Sequence, residues 1–229
     1  MKIFLSVLGL TFALLALVLL IPVPPPAETG DPDNHLPWQI ALDATGQSRV
    51  FGLEPGISTL AEARQRFGED LELAIIASQE ESGTLEAYYP LVTLGPLQGR
   101  LILTLEASPE HLQTMKNRAA KSEYTENVAK KFSLASEDFV AAEQAPIRAI
   151  SLIPAASLDE ATILQRFGEP AEKISASETL THYLYPSRGL DVVHDAKGKE
   201  ILQYVAPKNF ESQILAPLRT QQQAKATRE

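Results

Sequence analysis

The chain of 229 residues contains no cysteine. This absence excludes disulfide bonds, thiolate metal sites, cysteine nucleophiles and a lipid attached through an N-terminal cysteine. The chain also has fewer basic than acidic residues, with 20 Lys and Arg against 29 Asp and Glu and a net charge of −9. An acidic chain argues against nucleic acid or anionic lipid as the partner, because phosphate surfaces are bound by clustered Lys and Arg. No serine nucleophile elbow, phosphate-binding loop or HExxH motif occurs.

One long hydrophobic run stands at the start of the chain. Residues 3–21 are nineteen positions without a charge, and as a helix they would extend ~28 Å, about the thickness of a bilayer's hydrocarbon core. We predict that residues 1–21 are a transmembrane signal anchor. A cleaved signal peptide is the alternative, but its apolar region is shorter and it ends in a small-x-small site. Lys2 precedes the run and acidic residues follow it, which predicts a cytoplasmic N-terminus in the inner membrane and a periplasmic C-terminal part.

Residues 22–37 contain six of the chain's prolines together with acidic residues and Gly30. Such a segment forms neither a helix nor a sheet ladder, and it extends by up to ~3.1 Å per residue, or at most ~50 Å. We interpret it as a stalk that holds the folded part away from the membrane. An unstructured leader without a spacing role is the alternative.

A pentapeptide, Gln-Arg-Phe-Gly-Glu, occurs at residues 65–69 and again at residues 165–169. In both copies an amphipathic run precedes the Gly, which predicts that the Gly ends a helix in the left-handed conformation that only a residue without Cβ adopts freely. The Phe before it would then pack back onto a following sheet. The recurrence indicates an internal repeat. Its structural motif comprises Arg66, Phe67 and Gly68 in the first copy, and Arg166, Phe167 and Gly168 in the second.

We predict a first α+β repeat over residues 38–108. Apolar runs at residues 38–42 and 49–53 predict a hairpin, and Thr59 with Glu62 forms a capping-box pattern that starts a helix ending at Phe67. Strands are predicted at residues 71–77, 84–89 and 100–106, with a further extended piece at 91–94.

A helical connector is predicted over residues 109–146, with apolar residues at helical spacing to about Lys131 and a short second helix at 133–144. Its basic residues are Lys116, Arg118, Lys121, Lys130 and Lys131. They indicate either the solvated side of a helix or a docking face for an acidic partner.

The second α+β repeat is predicted over residues 147–218, with a polar tail at 219–229. It would begin with a strand at 147–153, and Ser157 with Glu160 repeats the capping-box pattern before the helix that ends at Phe167. Residues 190–193 and 201–205 flank a turn at 195–198 and predict a hairpin. The predicted fold class is therefore α+β: an N-terminal transmembrane helix followed by two repeats of a helix packed on an antiparallel β-sheet.

The second repeat resembles the BamE-like (SmpA/OmlA) envelope domain. The likeness is carried by the sequences at residues 157–160, 166–170, 183–186, 189–193 and 195–199, and it extends less closely to residues 57–106. The resemblance implies a helical segment on a three-stranded antiparallel sheet, and tandem copies are similar to the architecture of the beta-lactamase inhibitor protein. It also implies an exported binding or scaffolding module without catalysis or cofactor.

Two sets of residues are candidates for a functional role. Tyr88, Tyr89, Tyr183 and Tyr185 stand on predicted strands, where aromatic side chains on a sheet face contact a protein partner or fill half-buried positions. We expect the partner to be another envelope protein, bound by the concave sheet surface. An inhibitor of an envelope hydrolase is a further hypothesis by analogy. The enzymatic alternative is a metal-dependent or acid–base site formed by His182, Asp191 and His194.

Overall fold

The structure is a computed structural model that describes residues 35–78, 82–124 and 129–226. The predicted membrane anchor, nearly all of the predicted stalk and the last three residues lie outside the described residues. Among the helices that are described, none is long and apolar enough to cross a bilayer.

The fold is α+β, with helices packed on a large antiparallel sheet, as predicted. The α-helices are α1 (Leu60–Phe67), α2 (Pro109–Arg118), α3 (Ser136–Glu143), α4 (Glu160–Phe167) and α5 (Ala216–Ala226). The strands are β1 (Ala41–Leu42), β2 (Ser48–Arg49), β3 (Glu72–Ala77), β4 (Thr84–Leu94), β5 (Leu97–Leu105), β6 (Lys121–Tyr124), β7 (Lys130–Ser133), β8 (Ile147–Pro154), β9 (Glu172–Ser175), β10 (Leu180–Tyr185), β11 (Leu190–Asp195) and β12 (Ile201–Val205).

Ten strands form one sheet in the order β6-β7-β3-β4-β5-β8-β12-β11-β10-β9, and every neighbouring pair is antiparallel. Strand β8 pairs with β5 on one side and with β12 on the other. The strands that follow α1 and those that follow α4 are thereby joined into one continuous sheet. Strands β1 and β2 form a separate two-stranded ribbon.

Helices α1 to α4 all pack against the same face of this sheet, which we call the helix face. One cluster of buried side chains contains residues from all four helices together with inward-facing strand residues from both ends of the chain. The helical members are Leu60, Ala63, Leu112, Met115, Ala142, Ile163 and Phe167. Because a strand turns alternate side chains to opposite faces, the remaining strand residues form a second face.

The repeated pentapeptide ends α1 and α4 as predicted, but its glycines are not in the left-handed helical conformation, because their ψ values are −173° and −171°. Gly68 and Gly168 follow the last helical residue with φ values of +87° and +79°, and each donates its N–H to a carbonyl four residues earlier. Residues with a Cβ rarely adopt this backbone conformation. The capping box of Thr59 and Glu62 is present. The predicted cap of α4 is wrong, because Asp159 rather than Ser157 accepts the hydrogen bond from the helix start.

The predicted helix over residues 109–131 is wrong beyond Arg118. Residues 121–124 and 130–133 form the hairpin strands β6 and β7, and β7 pairs with β3. The apolar spacing of Tyr124 and Phe132 is compatible with a helix and with a pair of strands. The strands form because β7 makes hydrogen bonds with the edge of β3. The short second helix of the predicted connector exists as α3.

Two further predictions need correction. The predicted strand at 49–53 contains a tight turn, in which Phe51 and Gly52 both have positive φ and Val50 bridges to Leu53. Phe51 is held in this conformation by burial against Tyr204, with the two rings edge to face at 5.3 Å. The predicted polar tail is helical through its described residues, since α5 continues to Ala226.

The C-terminal helical segment lies on the second face. A π-helical turn at Glu211–Leu215 leads into α5. The apolar residues Phe210, Ile214, Leu215 and Leu218 pack on Ile174, Leu184 and Val205. The C-terminal segment therefore covers this part of the second face.

Candidate functional site

The candidate site is the second face of the sheet. Its central row runs through Tyr88 on β4, Ile102 on β5, Ser151 on β8, Gln203 on β12 and Asp191 on β11, which face one another in successive strand pairs. Three of these five side chains are polar and almost completely buried. Buried polar groups in the middle of a sheet are unusual unless hydrogen bonds satisfy them.

Several polar atoms of this face lack a hydrogen-bond partner among the described residues. They are Glu86 Oε2, the Tyr88 hydroxyl, His182 Nε2, Asp191 Oδ1 and Gln203 Oε1, and we call them the unpaired polar set. A buried polar atom without a partner costs about 1–3 kcal/mol. Three of the five are oxygens of carboxyl or amide groups that accept hydrogen bonds.

The pKa of Glu86 is strongly raised. Burial raises the pKa of its carboxyl from 4.5 to about 7, against the opposing effects of a hydrogen bond from Thr84 and the positive charge of Arg148. The Thr84 hydroxyl donates to Glu86 Oε1 at 2.6 Å. A carboxyl with this pKa changes its charge near neutral pH, so the charge of the second face depends on pH there.

His182 and Asp191 form a buried, hydrogen-bonded pair. His182 Nδ1 lies 2.7 Å from Asp191 Oδ2, and both side chains are 0 % exposed. They stand on the neighbouring strands β10 and β11 and point to the second face. Each keeps one unpaired atom, His182 Nε2 and Asp191 Oδ1.

The structure does not assemble the metal-dependent or acid–base site predicted from His182, Asp191 and His194. His194 is three residues from Asp191 on the same strand, so the two side chains project to opposite faces of the sheet. In keeping with this, His194 contacts Tyr183 on the helix face, with the rings 6.4 Å apart. Among the described residues, no group of three or more His, Cys, Asp or Glu side chains could hold a metal ion.

His194 instead belongs to a polar contact at the start of α4. Its Nδ1 is 3.7 Å from Glu200 Oε1, which accepts a 2.9 Å hydrogen bond from the Ser157 hydroxyl. Glu200 is 1 % exposed. The contact joins the loop before α4 to the turn between β11 and β12, which is a structural role for Ser157.

Three of the four candidate contact tyrosines are core residues. Tyr89, Tyr183 and Tyr185 are at most 4 % exposed and belong to the cluster on the helix face, so the prediction that they contact a partner is wrong in this fold. Burial raises the pKa of Tyr89 and of Tyr185 to about 12. Tyr88 alone lies on the second face, where it is half-buried. Burial also raises the pKa of Tyr88.

The repeated Arg-Phe-Gly motif has a packing role in both copies. The ring of Phe67 lies edge to face with Tyr89 at 5.7 Å, and that of Phe167 lies 6.2 Å from Tyr185. The Tyr185 hydroxyl donates to the Gly168 carbonyl at 2.8 Å. In the second copy the guanidinium of Arg166 stacks over Trp38 at 4.7 Å.

The basic residues of the predicted connector have partners within the chain. Arg118 pairs with Asp138, Lys121 with Glu123 and Lys131 with Glu72. Lys116 and Lys130 lie over the ring of Phe132. These contacts favour the interpretation of a solvated, structural set of charges over that of a docking face.

The second face also carries an apolar cluster, which we call the diagonal stripe. Its buried members are Ala74, Ile76, Ile102, Ala129, Ile153, Val193 and Ile201, and the partly buried Tyr88 and Leu180 pack against it. Within the described parts of the chain, every member lies on a strand or beside one and no helix contributes to the stripe.

The sequence predictions missed Glu86, Gln203 and the stripe. They could have been found from the alternation of side chains along a strand. Glu86 precedes Tyr88 by two residues and so shares its face, and Gln203 lies between the core residues Leu202 and Tyr204 and so faces the other way. Comparison with known proteins adds no further assignment, since no protein-family model, curated protein or solved structure matches the chain.

Proposed function

We propose that the chain is a non-catalytic protein-binding or scaffolding module of the bacterial cell envelope. Residues 3–21 anchor it in the inner membrane by a single pass, residues 22–34 form a stalk, and the folded part, which includes Pro37, lies in the periplasm. The second face of the sheet recognises another envelope protein. In this proposal the folded part consists of two BamE-like units in tandem, an architecture similar to the beta-lactamase inhibitor protein.

The layout of α1 and α4 supports the tandem arrangement. The two helices occupy positions 60–67 and 160–167, each ends in Phe-Gly, and each leads into an antiparallel meander. Within the meanders, the rings of Tyr89 and Tyr185 contact the Phe ring of the preceding helix. Duplication also accounts for Glu86 and His182, which hold matching positions three residues before Tyr89 and Tyr185.

The main support for a binding function is the unpaired polar set on the second face. Four helices bury the helix face, whereas the second face combines an apolar stripe with buried oxygens that lack hydrogen-bond donors. Apolar area supplies affinity, and polar atoms that require a partner supply specificity. Buried polar atoms without a partner are concentrated on the second face, and this supports it as the side of the sheet that a partner completes.

The test is site-specific photo-crosslinking in living cells. A photoreactive phenylalanine at Tyr88 samples the second face, and the same residue at Val140, which is 68 % exposed on α3, is the matched control. We expect one defined envelope protein to crosslink from position 88 and not from position 140. Equal yields from both positions, or no adduct from position 88, would refute recognition by the second face.

Anchoring is tested separately by membrane flotation and alkaline extraction. The full-length chain should float with inner-membrane vesicles and resist extraction, and its mass should include residues 1–21. A variant without residues 1–26 but exported through a cleavable leader should be recovered from the soluble periplasm. Recovery of the full-length chain in the soluble fraction would contradict the anchor.

A further inference from the structure

Strand β6 forms an open edge of the ten-stranded sheet. Among the described strands it is the last on its side, and it pairs only with β7. All four of its residues are exposed, and Tyr124 is 64 % exposed. The outer backbone N–H and C=O groups of a terminal strand are a template for pairing with another chain. The edge of β6 is therefore an accessible surface to which a further strand can be added.

The side chains of β6 are divided between the two faces of the sheet. Ser122 is opposite Phe132 of β7, which packs on the helix face, so Ser122 and Tyr124 lie on that face. Lys121 and Glu123 lie on the second face, where Lys121 Nζ is 2.6 Å from Glu123 Oε2. Their side chains are 68 % and 44 % exposed. The edge thus presents one positive and one negative charge on the same face, two residues apart.

The Lys121–Glu123 pair stands at the end of a row of alternating charges. Glu72 of β3 pairs with Lys131 of β7, and Lys131 Nζ is 4.0 Å from Glu123 Oε1. Towards the edge of the sheet the signs are therefore negative, positive and negative. A positive charge from an added strand would continue the row, and Lys121 of a second copy is such a charge.

One register of a β6 pair matches these charges. A twofold axis perpendicular to the sheet sets two copies of β6 side by side and antiparallel. Opposite residues of an antiparallel pair share a face, so the faces of the two sheets are continuous only when two second-face residues are opposite each other. Lys121 opposite Lys121, or Glu123 opposite Glu123, sets like charges against each other, which is destabilising. The register between these two sets Lys121 of each copy opposite Glu123 of the other.

We propose that two copies of the chain associate by antiparallel pairing of β6, with Lys121 opposite Glu123 in both directions and Ser122 opposite Ser122 at the twofold axis. Tyr124 then lies opposite Ala120 of the other copy on the helix face, where its exposed ring covers that small side chain. The interface is small, so the dimer is weak and is weakened further by salt. Because β6 is at the edge of the sheet, the inference does not depend on the proposed function of the second face.

The opposite edge of the sheet does not have this self-complementary pattern. Its terminal strand β9 carries Glu172 and Lys173, which are adjacent in the chain and so project to opposite faces. A register that keeps the faces continuous therefore cannot set Glu172 of one copy opposite Lys173 of the other. Glu172 also pairs with Arg219 of α5, and Lys173 with Glu160 of α4. The charge pattern thus favours β6 over β9 as the edge that pairs with itself.

The absence of native cysteine permits a direct test by disulfide crosslinking of the full-length chain in a mild detergent. Single cysteines replace Ser122, Lys121 or Glu123, and Val140→Cys on α3 is the exposed control. In the proposed register the Cα atoms of the two residues 122 are about 4.5–5.5 Å apart, within the range of a disulfide. The two residues 121, like the two residues 123, are ~8 Å apart, which is beyond it.

We expect Ser122→Cys to give disulfide-linked dimers at a yield at least fivefold above each of the other three variants. Equal yields at positions 122 and 140 overturn the pairing of β6. A maximum at position 121 or 123 overturns the register and the charge argument. In cells, a crosslink from position 122 to a different protein in place of the homodimer overturns the second copy as the partner.

Charge reversal tests the complementarity separately from folding. In the Ser122→Cys chain, Glu123→Lys makes the charges of β6 all positive and Lys121→Glu makes them all negative. Each variant alone should form at least fivefold less dimer than the parent, and a mixture of the two should form the mixed dimer at the parent's yield. Such recovery requires both variants to be folded. Unchanged yields of the separate variants, or no recovery in the mixture, overturn the proposal.

Discussion

Replacement of Glu86 by Gln should stabilise the protein at alkaline pH and leave its stability nearly unchanged at acidic pH. Burial on the second face raises the pKa of this carboxyl from 4.5 to about 7. A folded-state pKa above the unfolded value means that the native state holds the proton more tightly. The free energy of unfolding therefore decreases as the pH rises between these two values, by about 1.4 kcal/mol per pH unit.

Over the interval from pH 4.5 to 7 this loss amounts to about 3 kcal/mol, an order-of-magnitude figure for a carboxyl that is 4 % exposed. Gln cannot ionise, so Glu86→Gln avoids the loss. We expect the variant and the wild type to be similarly stable near pH 4.5. Above pH 7 the variant should be more stable by up to about 3 kcal/mol.

The assay is urea unfolding at several pH values, followed by the fluorescence of Trp38, the only tryptophan in the chain. Trp38 packs edge to face on Phe167 at 6.3 Å, so its emission reports loss of the helix-face core. A difference between variant and wild type that does not change with pH would refute the argument. The control Thr84→Val removes the hydrogen bond that lowers the pKa of Glu86, and it should extend the pH range of destabilisation upward.

Further predictions concern the buried pair and two glycines, and all are measured by the same unfolding assay. Asp191→Ala should lower the free energy of unfolding by about 3–5 kcal/mol, because it leaves the buried His182 without its partner. Replacing both residues by Leu should lower it less. Equal losses in the two variants would contradict a coupled pair. Gly189→Ala should prevent folding or destabilise severely, because its Cβ would stand 2.0 Å from the Val205 carbonyl oxygen. In Gly168→Ala the new Cβ meets no atom within 4 Å, so we expect a loss of unfolding free energy of only about 1–3 kcal/mol, from the strained backbone conformation. A comparable loss at both glycines would refute this distinction.

Parts of the candidate site could have been predicted from the alternation of side chains between the two faces of a strand. Tyr183 and Tyr185 are two residues apart and so share a face, which makes both core residues once one of them is. Asp191 and His194 are three residues apart and so face opposite sides, which is enough to separate the residues of the predicted metal site. The unpaired polar set could not be recognised in this way, because its members lie on four different strands and their hydrogen bonds depend on the neighbours that the fold supplies.

Elements with local causes could be predicted from adjacent residues. The capping box at Thr59, the glycines that end α1 and α4, and the hairpin turn between β11 and β12 each depend on a few neighbouring positions, and all are present in the structure. Other elements depend on contacts between segments that are distant in the chain. Residues 121–124 and 130–133 form strands because the edge of β3 offers hydrogen bonds to β7. Strand β8 joins the two halves of the sheet, and this pairing between distant segments is not encoded in local spacing.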